Sequence, residues 1–130
     1  MTILTIRTDK SLSEIAIYKD KYKLHETKWE AHRTLADSIH LQIKKLLEIN
    51  KLDWHNIQGL VCFKGPGSFT GLRIGLSVAN ALSYSLNCPI VSQAGDNWQS
   101  IGIDRLLNNE NEKVALPEYG AEAKITKPKK

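Results

Sequence analysis

The residues best placed to do chemistry lie in one run, Gly65-Pro66-Gly67-Ser68-Phe69-Thr70-Gly71-Leu72-Arg73-Ile74-Gly75. It follows an apolar strand-like stretch, Gly59 to Phe63, and opens an apolar helix-like one, Leu72 to Leu86. A helix N-terminus offers N–H groups and a partial positive charge, which suit an anion. Ser68 and Thr70 would add hydroxyl donors, and Arg73 a charge one turn in. A Walker loop, however, needs a lysine before the Ser/Thr at the helix start, and none is present. The dinucleotide fingerprint fails on its glycine spacing and on the acidic residue after the next strand. Glycine and proline at a strand-to-helix turn are costly in chain entropy and mark unusual backbone angles or a close approach. Two readings of the turn Gly65 to Gly71 stay open. It is a phosphate or nucleotide cradle in a small enzyme, or a tight turn that lets the helix pack closely.

Other reactive groups form no constellation. His25, His32, His40 and His55 include no i, i+4 pair, and no cysteine cluster assists them, so no metal site is expected. Glu26, Glu30 and Asp37 read as solvated charges. Ser68 has Pro66 and Thr70 where a nucleophile elbow needs glycines. No catalytic residue is expected. Cys62 and Cys88 sit in or beside apolar runs and form no Cys-x-x-Cys pair, which points to a reduced, cytoplasmic setting.

The elements that must position the turn read β-β-β-α-β-α-β, then a last helix and a tail. Ile3 to Ile6, Leu12 to Tyr18 and Lys21 to Thr27 alternate as strands, joined by the polar turns Asp9-Lys10-Ser11 and Lys19-Asp20. Leu35, Ile39, Ile43, Leu46 and Leu47 give one apolar face to a helix over Ala31 to Asn50. Asp53 and Trp54 open a short helical turn. Leu60 to Phe63 is apolar on both faces, as a buried central strand is. The helix after the turn stops near Asn87 because Pro89 follows. Ile90-Val91 makes another strand, and Asp96 is the expected N-cap of a helix to Leu107. Gly71, Gly75, Ala79 and Ser83 recur every four residues, a small-residue stripe that admits another helix closely. Leu72, Ile74, Leu76, Val78, Leu82 and Tyr84 leave that helix little polar face, so burial on more than one side is expected. The second cover is a neighbouring helix of the chain or a partner.

At 130 residues, 42% apolar and 25% charged, the chain is expected to form one soluble α/β domain, a mixed sheet with flanking helices. No apolar run is long enough for a membrane span, and no secretory signal is visible. A net charge of +4 fits work near RNA but carries little weight alone.

The eleven-residue run from Gly65 to Gly75 resembles the signature of the TsaB (YeaZ) family, a bacterial component of the machinery that makes threonylcarbamoyladenosine in tRNA beside the anticodon. Ile3-Leu4-Thr5-Ile6, the long helix and Asn87-Cys88-Pro89-Ile90-Val91 agree, so the resemblance spans residues 3–95. It implies the RNase H-like fold of the actin, Hsp70 and sugar-kinase superfamily. It also implies a non-catalytic scaffold that pairs with its paralogue TsaD, the transferase, and recruits the ATPase TsaE. No cofactor is implied in this chain, and a nucleotide only at a composite interface with TsaD. Pairing would use the helices Ala31 to Asn50 and Thr70 to Leu86, with Leu35, Ile39, Ile43, Gly71, Leu72, Gly75, Leu76, Ala79 and Ser83 at the interface. The same face would form a homodimer when the chain is alone, and tRNA would be met indirectly.

Two departures stand out. Many family members read Ile-Asp-Thr-Ser after the first strand, where this chain reads Ile6-Arg7-Thr8-Asp9, and arginine cannot hold magnesium. Typical members also continue into a second half-domain. Here residues 1–107 read as the RNase H-like part and 108–130 as a loop and basic tail, with Leu116-Pro117-Glu118-Tyr119-Gly120 resembling the end of longer relatives. An internal deletion is the expectation, which leaves TsaE recruitment open. Lys124, Lys127, Lys129 and Lys130 are either tRNA-phosphate contacts or a solvated tail.

Overall fold

The computed structural model describes residues 1–31 and 34–117. The elements are β1 (Thr2–Arg7), β2 (Leu12–Lys19), β3 (Tyr22–Glu30), α1 (Leu35–Ile49), a 3-10 turn (Trp54–Asn56), β4 (Gly59–Phe63), α2 (Phe69–Leu86), β5 (Ile90–Gln93) and α3 (Trp98–Leu107). They build a five-stranded sheet in the order β3-β2-β1-β4-β5. The first three strands are joined by tight turns and pair antiparallel, with Arg7 opposite Glu14 and Leu12 opposite Glu30. β1, β4 and β5 are joined through helices and run parallel.

All five residues of β4 are buried, as its apolar sequence demands of a strand covered on both faces. Val61 packs on Gly102 of α3, and the Phe63 ring meets Trp98 edge-on at 5.7 Å. Alternation turns Leu60 and Cys62 to the other face, where α1 and α2 lie. Ile39, Ile43, Leu47, Leu60, Leu72 and Ile90 are fully buried. Each contributes about 1.5–3 kcal/mol by leaving water. Among the described residues no helix is long and apolar enough to cross a membrane.

The boundaries differ from expectation at four places. β3 continues to Glu30 rather than stopping at Thr27, and α1 starts at Leu35 rather than Ala31. The Ala31 N–H donates to the Ser11 carbonyl at 2.9 Å, so strand pairing holds this stretch extended. The apolar spacing of α1 begins only at Leu35. α3 is preceded by Asn97, not Asp96, and neither a side-chain cap nor an acidic first turn supports it. β5 runs two residues past Val91. The expected stop before Pro89 is present, with Asn87 in the left-handed region at φ 54° closing α2.

The two edges of the sheet are finished differently. Among the described residues β5 meets no further strand, yet its outward groups are taken. Asn111 Oδ1 accepts from the Ile90 N–H (3.1 Å) and the Ile90 carbonyl accepts from the Glu112 N–H (2.8 Å). The Glu112 carboxylate accepts from the Ser92 N–H and hydroxyl (3.1 and 2.8 Å). Arg105 donates to the Ser92 carbonyl (2.8 Å) and to Glu112 (2.7 Å). Further on, Ala115 is buried and makes a two-way backbone bond with the Asn80 amide of α2. β3 is the opposite edge.

Candidate functional site

The turn between β4 and α2 is built for close approach inside the chain. Gly65 takes φ 115°, where a side chain would be strained, and precedes Pro66 through a cis bond. A Cβ on Gly67 would lie 2.5 Å from the Asp9 Cβ, one on Gly71 2.1 Å from the Thr8 carbonyl oxygen, and one on Gly75 2.2 Å from Thr8 Oγ1. The Thr8 hydroxyl donates to the Gly71 carbonyl at 2.7 Å. The glycines thus press the first turns of α2 onto the β1–β2 turn. Their spacing is explained by packing within the chain.

This corrects the expected interface. Leu35, Ile39, Ile43, Leu72, Gly75, Leu76, Ala79 and Ser83 are all buried within the chain, and Gly71 lies against Thr8. Ala79 has no exposed surface, and the Ser83 hydroxyl donates to the Cys88 carbonyl at 2.6 Å. The small-residue stripe therefore faces the chain's own sheet and β1–β2 turn, not a partner helix. Eight of these nine residues are buried and Gly71 is half-buried.

What α1 and α2 leave outside is a groove of about 370 Å³ lined by Ala36, Thr70, Arg73, Ile74, Ser77 and Val78. Phe69 stands 51% exposed at one end with the Arg73 guanidinium 5.2 Å from its ring centre, and Tyr84, 91% exposed, lies further along α2. Thr70, Ile74, Ser77 and Val78 fall three or four apart, so helical spacing could have revealed this face. It was hidden by the more conspicuous glycine stripe.

Arg7 and Asp9 answer each other. Arg7 donates from Nε to Asp9 Oδ1 (2.7 Å) and from Nη2 to Oδ2 (3.2 Å), with its guanidinium 3.8 Å from the Phe63 ring centre. Both carboxylate oxygens of buried Asp9 are thereby engaged, so the strand-end corner holds an ion pair and not a free acid. His25, His40 and His55 are exposed and apart, and His32 lies outside the described residues. Among the described residues no group of three or more His, Cys, Asp or Glu could hold a metal ion. On β3, Lys23 bonds Glu26 and Lys28 approaches it at 3.6 Å. The Lys23 hydrogen bond holds the Glu26 carboxyl below its ordinary range, and the same bond raises Lys23. Burial pushes the thiols of Cys62 and Cys88 up. A larger, polar cavity of about 460 Å³ flanks α3 between Tyr18 and Asp96, crossed by the Lys21–Asp104 pair at 3.2 Å, and gathers no reactive set. Lys124, Lys127, Lys129 and Lys130 lie outside the described residues.

Comparison with known proteins follows the same lines. The family profile described as "TsaD: tRNA N6-adenosine threonylcarbamoyltransferase" matches residues 29–92. The "tRNA threonylcarbamoyladenosine biosynthesis protein TsaB" of Buchnera aphidicola subsp. Schizaphis graminum is 38% identical over 126 residues, covering 91% of this chain and 59% of that protein. Among solved structures, YeaZ from Pseudomonas aeruginosa superposes with a TM-score of 0.66 at 22% identity, over 72% of this chain and 43% of that one. Thermus thermophilus RuvC superposes with a TM-score of 0.52 at 9% identity, over 72% and 64%. These likenesses show an RNase H-like α/β fold, as the resemblance implied. The chain spans about half the length of the curated TsaB relatives it matches.

Proposed function

The chain belongs to the TsaB (YeaZ) family, and from that premise we propose that it is a non-catalytic scaffold subunit in threonylcarbamoyladenosine formation on tRNA, pairing with the transferase TsaD across the outer faces of α1 and α2. The observation that carries this reading is the groove of Ala36, Ile74, Ser77 and Val78 with Phe69 exposed beside it. An apolar groove between two helices suits the helix of a partner. The match to the TsaD profile supports the choice of partner. It covers residues 29–92, the stretch that carries α1, β4 and α2, so the two paralogues share this helix pair. Like surfaces can then meet about a pseudo-two-fold axis, and the same face can pair two copies of this chain when TsaD is absent. The chain's part is to hold TsaD in a productive arrangement; the transfer to adenosine and the tRNA contacts belong to the assembly.

The test is co-elution of the chain with TsaD from the same organism, for wild type and for Ser77→Trp and Val78→Asp. Both substitutions alter the outward groove; Ser77 is exposed, and Val78 is partly buried against the core, so the fold of each variant is checked by circular dichroism before mixing. A one-to-one complex with wild type, lost in both folded variants, is the expected result. A complex that forms equally well with either variant places pairing elsewhere. Added to TsaD in a threonylcarbamoyl-transfer assay, the chain should raise product formation and show none by itself.

A further inference from the structure

Beside the glycine turn lies a second pocket of about 280 Å³, walled by the β1–β2 turn, by β2 and by the start of α2, and sharing Thr70 and Ile74 with the outer groove. α2 is 18 residues long, yet its N-cap residue Ser68 makes no side-chain capping bond and its first turn holds no acidic residue. The positive end of a long helix therefore faces this pocket with no acidic residue of its own, and the nearby carboxylate, Asp9 beside Gly67, is already paired with Arg7. A second observation is independent of the helix. Ser13, on β2, lines the pocket with no exposed surface, and its Oγ is the one buried side-chain polar atom among the described residues without a hydrogen-bond partner. Buried hydroxyls are nearly always bonded, so an orphan at a pocket wall has a hydrogen bond to offer to whatever fills the pocket.

The charge balance favours an anion. Asp9 borders the pocket, but both its oxygens are occupied by Arg7. Lys10, at the rim, has no ion pair among the described residues. Hydroxyls of Ser11, Ser68 and Thr70 stand around the same space. Donors on three sides suit a tetrahedral group with several acceptor oxygens better than a flat carboxylate with two. The remaining wall, Ala31, Leu35 and Ile74, is apolar. We propose that this pocket binds a phosphomonoester, with the phosphate against Ser13, Lys10 and the start of α2 and its organic part against Leu35 and Ile74. No bond is made or broken. All the groups named belong to one chain, so binding to the isolated chain is measured apart from the pairing with TsaD.

Backbone amide NMR of the isolated full chain tests it, with inorganic phosphate and phenyl phosphate as probes and chloride at equal ionic strength as control. The expected result is saturable shifts at Ser13, Thr70 and Gly71, with phenyl phosphate binding at least as tightly as phosphate. Ser13→Ala, nearly the same shape, should weaken phosphate about fivefold, the loss of one hydrogen bond. Lys10→Gln, exposed and harmless to the core, should weaken it about threefold and serves if Ser13→Ala fails to fold. The proposal is overturned by shifts that do not saturate by about 100 mM, by equal shifts with chloride, by exclusion of phenyl phosphate, or by unchanged affinity in the folded Ser13→Ala chain. In the last case the orphan hydroxyl is a packing defect.

Discussion

Thr8 is the residue on which the turn closes, and it meets two glycines by different atoms. A methyl at Gly71 would strike the Thr8 backbone carbonyl, which cannot turn aside, whereas one at Gly75 would strike the Thr8 side chain. Gly71→Ala should therefore cost about 3 kcal/mol or more, and no change of the Thr8 side chain should restore it. Gly75→Ala should be destabilising alone and partly rescued by Thr8→Ala, with a coupling of about 1 kcal/mol or more in a double-mutant cycle read from urea midpoints. The cysteines give a second prediction. With both thiols buried and their pKa values raised, neither Cys62 nor Cys88 should react with a thiol reagent at mildly alkaline pH until the chain unfolds. Labelling that outpaces global unfolding would show that one of them is reached by local opening. On β3, Glu26 is stabilised as a carboxylate by Lys23. Its lowered folded pKa means the contribution is present above the ordinary glutamate range and fades as pH falls through the folded value. The group is partly exposed, so the effect is a few tenths of a kcal/mol, and Glu26→Gln should flatten that part of the acid limb of a urea-midpoint profile.

At the scale of the element, α2 shows two faces with opposite duties. The small-residue face is buried against the chain itself; the face of Arg73, Ile74, Ser77 and Val78 looks outward. Ala79→Trp should unfold or strongly destabilise the chain, because a fully buried alanine has no room for an indole. Ser77→Trp, two residues earlier, should leave the melting temperature nearly unchanged. Thermal unfolding of the two variants side by side decides whether the faces are assigned correctly. The order of elements, the glycine turn and the stop at Asn87 were legible in the sequence because each rests on a local rule. The direction of the Gly71–Ser83 stripe was not. Small residues at every fourth position report that something comes close, and a partner helix and the chain's own Thr8 make the same demand. The start of α1 was hidden for a related reason. Trp29 and Glu30 fit either a strand or a helix, and only pairing with Ser13 and Leu12 decides between them. The pocket of Ser13 was invisible in the sequence, because a lone serine in an alternating strand says nothing about what its hydroxyl lacks.

For the molecule as a whole, the described residues after α3, 108–117, finish the β5 edge without adding a strand. Glu112 is its central contact, since one carboxylate meets the Ser92 N–H, the Ser92 hydroxyl and Arg105. Glu112→Ala should cost about 1–3 kcal/mol by leaving the Ser92 N–H and hydroxyl unpaired, while Arg105 keeps Glu110 and the Ser92 carbonyl, and light scattering should then detect larger, concentration-dependent species. With Glu112 in place the sheet has a built-in terminator. Two copies could join β3 to β3, but the enlarged sheet would present only β5 at either end, and both ends would already be sealed. Among the described residues, strand addition from the native sheet is therefore expected to stop at a dimer rather than run on into a fibril.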